Sequence, residues 1–363
     1  MKNCRIASNE ENNLLNTFAF LRFPLMVCVV LCHSFMESAM ANGEVECFVK
    51  SSFVLSKIIA RVAVPNFLFI SGYLFFRNVD SFTPRLYCDK LKRRLRSLVV
   101  PYLFWNAVVI LLYFIGQSLA PQLFSGNQTR VCDYSFVEWV QAFWRVSGTV
   151  SPINPPLWYM RNLMVMILLS PILYQVLRNR VVGALFVVTM LSLWLSCLPL
   201  NRALVWLTPK FTFFFSLGAW FALHRAEIPR FRYWVVAVGL LLYVAAIVGV
   251  FVGRGRVDNM AYEVAILVGS AITMYVAHYG VNSKGWRMPE WLSLSYFFVF
   301  VFHAIPLALS QRLMLRIFAP DNNAEYFAIY FACFVLILSL SIGVFYLLKR
   351  LFPRLVAVVL GDR

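Results

Sequence analysis

Residues 18–35 read FAFLRFPLMVCVVLCHSF, an apolar run broken by Arg22 near its start and His33 near its end. With its flanks the run is long enough to cross the hydrocarbon core of a bilayer as a helix. Eleven residues separate the two ionisable groups. That is three turns at about 3.6 residues each, so both side chains project from one face, about 16 Å apart along the axis. A cation in hydrocarbon costs at least about 2.5–3.5 kcal/mol on insertion scales, which makes a functional reading the default. Arg22 alone reads equally well as a side chain snorkelling to the headgroups. The pair on one face favours function.

The rest of the chain agrees with this class. Of 363 residues, 61% are hydrophobic and 13% charged, with mean hydropathy +0.73. A soluble domain carries about 25% charged residues. The expectation is an all-α, polytopic membrane bundle of about ten transmembrane helices, one domain over residues 1–363. The predicted spans are 16–36, 58–76, 97–117, 157–177, 181–199, 204–223, 233–252, 260–279, 291–311 and 325–348.

The net charge is +17. The basic residues sit in short loops between apolar segments, which argues for membrane topology and against a nucleic-acid partner. With a cytoplasmic N-terminus, about 20 Lys and Arg fall on inner segments and about 10 on outer ones, among them Arg202, Arg254 and Arg256. The positive-inside rule then places both termini in the cytoplasm. Eight cysteines show no metal-ligand spacing and read as buried spectators, with Cys47 and Cys132 in outer loops where a disulfide has room. No metal site is expected. Ala39 and Ala41 offer a small-residue cleavage site, but Arg22 within the apolar run and Glu37 beside the site argue against a signal peptide.

Several other stretches carry polar residues where apolar ones would suffice. VPNFLFISGYLFF (64–76) follows Arg61 and contains Ser71-Gly72, small enough for a neighbouring helix or a ligand to approach closely. KLKRRLRSLVVPY (90–102) brings Lys92, Arg93 and Arg96 within about one turn, fit either to anchor anionic lipid or to hold phosphates. The segment 118–156 is the longest outer loop. Its Trp139 and Trp144 suit an interfacial element or a sugar-stacking surface. LWYMRNL (157–163) puts Arg161 just inside the outer boundary, and SYFFVFVFH (295–303) puts His303 within a span. His224 and His278, at span ends, read as interfacial. There is no Gly-rich phosphate loop, no His-Glu-x-x-His and no Gly-x-Ser-x-Gly.

Taken in order, these segments resemble acyltransferase family three, integral membrane enzymes that O-acylate bacterial surface polysaccharides, peptidoglycan and some small molecules. Leu21-Arg22 followed by His33 is similar to the family's first-helix signature. Val64-Pro65-Asn66-Phe67 through Leu74 is similar to its second-helix motif, and Arg93 to Arg96 before Val100-Pro101-Tyr102 to its basic third-helix lead-in. The stretches holding Trp158 and Arg161, and Tyr296 and His303, resemble its fourth and late-helix motifs. The resemblance covers about residues 14–350. Ala19 and Asn162 stand where the family often has acidic residues, and the basic pair is spaced Lys92-x-x-x-Arg96.

The resemblance implies a multi-pass protein of the bacterial cytoplasmic membrane, without a bound cofactor. It would move an acyl group, acetyl being the family's commonest, from cytoplasmic acyl-CoA to a hydroxyl of a glycan or its lipid-linked sugar precursor. His33 is then the expected base, oriented by Glu37 one turn on. Lys92, Arg93, Arg96 and Arg22 would bind the donor, with Trp158, Tyr296 and His303 as further binding residues. Arg61, Ser71 or Arg161 would steady the carbonyl oxygen. The competing class is a polysaccharide-lipid flippase or exporter. No convincing internal repeat supports it.

Overall fold

Each predicted span is helical in the computed structural model, which describes residues 2–119, 129–147, 149, 151–196, 207–229, 231–252 and 259–361. Among the described residues there is no β-strand. Six helical stretches are long and apolar enough to cross a membrane: Glu11–His33, Gly43–Phe76, Pro84–Leu119, Tyr233–Phe251, Met260–Ser283 and Asn323–Leu351. Two bent pairs, Pro155–Leu168 with Ser170–Leu177 and Glu290–Phe302 with Ala304–Phe318, raise the number to eight if each pair is one span. The predicted spans 181–199 and 204–223 correspond to helices of 16 and 15 residues, Arg180–Leu195 and Pro209–Leu223. Both run toward residues 197–206, which, like Arg202, Arg254 and Arg256, lie outside the described residues.

Two boundaries differ instructively from expectation. The segment before residue 58, expected as a loop outside the membrane, is helical, because residues 46–62 contain neither Gly nor Pro to stop it. Winding changes instead: Val54–Ile59 is a π-helical turn and Ala60–Val62 a 3₁₀ turn. The basic run 90–96 is likewise helical, in Pro84–Arg94 and the π turn Leu95–Val99.

The described chain divides into two compact units. The first comprises residues 1–81 and 171–343. Its centre is α1 (Lys2–His33), packed against α3 (Ala63–Phe76), α12 (Met260–Ser283) and α13 (Glu290–Phe302); α2 is Glu46–Phe53. Polar pairs fix the directions. Glu11 on α1 pairs with Arg77 just past α3, while the other end of α1 meets the turn holding Arg61, so α1 and α3 are antiparallel. Thr17 on α1 meets His278 near the end of α12. Phe20 packs on Trp286 and His33 on His303, so α13 runs alongside α1 in the same sense. α10 (Pro209–Leu223) joins α3 at the closest contact in the unit, where Gly72 and Gly218 face backbone carbonyls.

The second unit comprises residues 82–170 and 344–363. It holds α4 (Pro84–Arg94), α5 (Val100–Leu119), α6 (Phe136–Trp144), α7 (Trp158–Leu168) and α16 (Pro353–Val359). Backbone capture knits it together. The Tyr102 hydroxyl donates to the Phe143 carbonyl, Trp105 Nε1 to the Val359 carbonyl at 3.1 Å, and Asn106 Oδ1 accepts from the Asn154 amide at 3.2 Å. The remaining helices are α8 (Ser170–Leu177), α9 (Arg180–Leu195), α11 (Tyr233–Val252), α14 (Ala304–Phe318) and α15 (Asn323–Leu351).

The described cysteines 28, 32, 47, 88, 132 and 333 are free thiols. Only Cys333 is buried, which corrects the expectation of buried spectators. Cys28 and Cys32 are half-buried, and Cys47, Cys88 and Cys132 are exposed.

Candidate active site

One end of the first unit gathers five ionisable side chains. α1 and α13 end there, whereas α3, α10 and α12 begin there. Each helix places one polar side chain in its terminal turn: His33, His303, Arg61, Lys210 and Glu263. The rings of His33 and His303 lie 5.2 Å apart, centroid to centroid, at 55°. His33 is accessible, whereas His303 has no exposed surface. The charges of Arg61 and Lys57 act on His33.

The cations around this end are held in different ways. Lys210 Nζ donates to Glu263 at 2.7 Å and lies over the rings of Trp194 and Tyr262. Lys57 lies over Phe35 and reaches Glu37 at 3.5 Å. Arg61 keeps a buried Nε with no hydrogen-bond partner among the described residues. A buried guanidinium donor left unmet is poised for an anion or a developing oxyanion. Ser56 and Tyr330 share a 2.6 Å hydrogen bond, and Gln311 Nε2 donates to the Ser34 carbonyl.

The placement of Glu37 differs from the sequence reading. α1 stops at His33, and Glu37 opens a separate 3₁₀ turn, Glu37–Ala41. Its carboxylate is 78% exposed and turned to Lys57. It is therefore not one helical turn beyond His33, and no contact between the two side chains is present. The helix ends because the chain turns extended at Met36.

Arg22 lies on α1 with its guanidinium 5.7 Å from the Tyr296 ring centroid. These two residues form a cation–π pair well below His33. Ser71 is half-buried on α3, ten residues past Arg61 and so about 15 Å along the helix, and does not share the end where His33 sits. In the second unit Lys92, Arg93 and Arg96 are exposed on consecutive turns of α4 and the following π turn. Arg161, 1% exposed, donates through Nε and Nη2 to Asn162 Oδ1 and through Nη1 to the Trp144 carbonyl, and lies over the Trp144 ring. Trp158 opens α7, half-buried. The segment 129–147 contains α6, which exposes Phe136, Val137, Trp139 and Val140, an amphipathic face suited to the membrane interface.

Sequence reasoning passed over Glu263 and gave Lys57 and Lys210 no role. The signal was present: Glu263 and Lys210 each open an apolar span with a charge, and opposite charges at matching ends of two spans suit pairing. His278 is more than interfacial. It bonds Thr17 and Asn282 and lines, with Asn13, Tyr275, Tyr279 and Glu227, a cavity of about 590 Å³ at the opposite end of the unit.

A family model described as an acyltransferase domain matches residues 16–346, nearly the whole chain. The chain belongs to this acyltransferase family. It is also 27% identical over 318 residues to the succinoglycan biosynthesis protein ExoH of Rhizobium meliloti (strain 1021), covering 85% of this chain and 81% of that protein. No solved structure matches. The chain is thus a multi-pass membrane acyltransferase, transferring groups other than aminoacyl groups.

Proposed function

We propose that this acyltransferase moves an acyl group, acetyl in the simplest case, from cytoplasmic acyl-CoA to a hydroxyl of a bacterial surface polysaccharide or its lipid-linked precursor. The observation that carries the reading is the accessible His33, seated on buried His303 at the cation-rich end of the helices. A neutral imidazole can take the proton of an incoming sugar hydroxyl near neutral pH. Arg61, with its unmet Nε, is the candidate to stabilise the oxyanion that forms as the hydroxyl adds to the thioester carbonyl. The polysaccharide acceptor is supported by the name of the Rhizobium relative.

The donor end follows from charge. Lys92, Arg93 and Arg96 present three exposed cations suited to the phosphates of coenzyme A. Arg22, paired with Tyr296, is a further donor-binding candidate in the first unit. The topology we assign has ten spans, counting the bent pairs and the two short helices, in the cytoplasmic membrane with both termini inside. His33 then lies at the outer end.

The test uses purified protein, radiolabelled acetyl-CoA and a crude glycan extract. Label should pass to glycan with wild type. His33→Ala should abolish transfer while leaving insertion and expression intact, and Arg22→Ala should weaken acetyl-CoA binding. Full transfer by the His33 variant removes the catalytic claim. An unchanged dissociation constant refutes the role of Arg22.

A further inference from the structure

His303 is built to do something its burial does not explain. Its Nδ1 lies 2.9 Å from the Val299 carbonyl oxygen, one turn back on α13. A carbonyl only accepts, so this bond keeps the hydrogen on Nδ1 and leaves Nε2 a bare acceptor. That Nε2 is buried and has no hydrogen-bond partner among the described residues. Buried acceptors are normally satisfied, and an exception points to a role.

The neighbour that can satisfy it is His33. Two imidazoles joined by an N–H···N bond of about 3 Å have ring centroids roughly 5 Å apart. The observed 5.2 Å is that separation, so a turn of one ring makes the bond without moving either helix.

We infer that His303 is a positioning residue for acyl transfer, accepting a hydrogen from His33 through Nε2 and sharing the proton that His33 takes up. The inference rests on the acyl-transfer reading above. Donating to Nε2 fixes the His33 tautomer and leaves its other nitrogen bare on the accessible side. As the acceptor oxygen bonds to the thioester carbonyl carbon, its proton moves to that bare nitrogen. The hydrogen on the opposite His33 nitrogen shifts toward His303 Nε2, which spreads the new charge over two rings. The carbon–sulfur bond then breaks, the thiolate leaves with the electron pair and takes a proton from His33, and both rings return to neutral. Sharing matters here because the nearby carboxylates are held elsewhere, Glu263 by Lys210 and Glu37 by Lys57, and among the described residues none contacts either imidazole. This is the nucleophile–base–orienter logic of hydrolytic triads with an imidazole as the orienter.

Two variants separate this role from a structural one. Asn at 303 can keep the bond to Val299 but has no ring nitrogen at the Nε2 position, whereas the amide oxygen of Gln can accept there. In detergent, with acetyl-CoA and water or glycan as nucleophile, His303→Asn should lose about 100-fold in kcat with KM for acetyl-CoA unchanged. His303→Gln should keep activity within about tenfold of wild type. Hydroxylamine, already unprotonated at neutral pH and needing no base, should be acylated by the Asn variant at close to the wild-type rate. Equal loss with both nucleophiles, or a raised KM, overturns the role. Nitrogen-15 NMR of histidine-labelled protein, with His303→Asn as the difference control, supplies a readout that needs no turnover. Hydrogen on Nδ1 and a bare Nε2 are expected for His303; the reverse tautomer overturns the inference. Wild-type thiol release from acetyl-CoA reports separately on the donor reading.

Discussion

Lys210 Nζ lies 2.7 Å from the Glu263 carboxylate where α10 and α12 both begin. Neither side chain is in free water, at 28% and 14% exposure. Each charge therefore depends on the other. Removing one partner of such a pair leaves an uncompensated charge in a poor solvent, at a cost of about 3 kcal/mol. Lys210→Met and Glu263→Gln should each lower the thermal midpoint in detergent, and the double variant should recover most of the loss. A double-mutant cycle showing simple additivity would refute the coupling.

A second packing prediction comes from Gly72 and Gly218. A Cβ at Gly72 would lie 2.0 Å from the Phe215 carbonyl oxygen, and one at Gly218 would lie 2.0 Å from that of Phe69. These atoms are backbone and cannot swing aside. Gly72→Ala or Gly218→Ala should force α3 and α10 apart, costing upward of about 1–3 kcal/mol, as overpacking does. The readout is loss of monodisperse protein on size exclusion or a lowered midpoint.

That contact shows how far the sequence could be read. Ser71-Gly72 announced a close approach, but only coordinates name Gly218 as its counterpart, since a one-dimensional pattern does not say which helices meet. The helical class and the apolar spans were legible because lipid permits little else. Arg22 and His33 stood out for the same reason. The end of α1 was not legible: an apolar run continues through Phe35, and only the extended turn at Met36 sets Glu37 aside. Lys210, Glu263 and the unmet Nε of Arg61 were hidden because their meaning is a matter of who stands opposite whom.

Helix α6 carries a pH prediction. Ser135 caps it, and the Glu138 carboxylate accepts from the Ser135 amide and hydroxyl and from Thr129. These bonds hold the Glu138 carboxyl below the usual carboxylate range. The stabilisation is complete above the unfolded pKa and is lost as pH falls through the lowered folded value. Hydrogen exchange of amides 136–144 should therefore accelerate at acid pH, relative to α5. Ser135→Ala should show the faster exchange already at neutral pH. Protection of 136–144 relative to α5 that does not change with pH would contradict the assignment.

Arg61 offers the sharpest test of the chemistry at His33. Its Nε is buried without a partner, so the guanidinium retains a donor that the fold does not consume. If that donor meets the oxyanion, its contribution exists only in the transition state. Arg61→Lys keeps a positive charge but cannot place a donor at the Nε position. It should lower kcat by about 10²–10³ and leave KM for acetyl-CoA unchanged, as loss of one oxyanion donor does. Arg61→Gln should fall at least as far. Both variants should melt near the wild-type midpoint, because among the described residues the Arg61 Nε donates no hydrogen bond that they would lose. A kcat unchanged in the Lys variant would remove Arg61 from the reaction and leave it as a charge that shapes the field around His33.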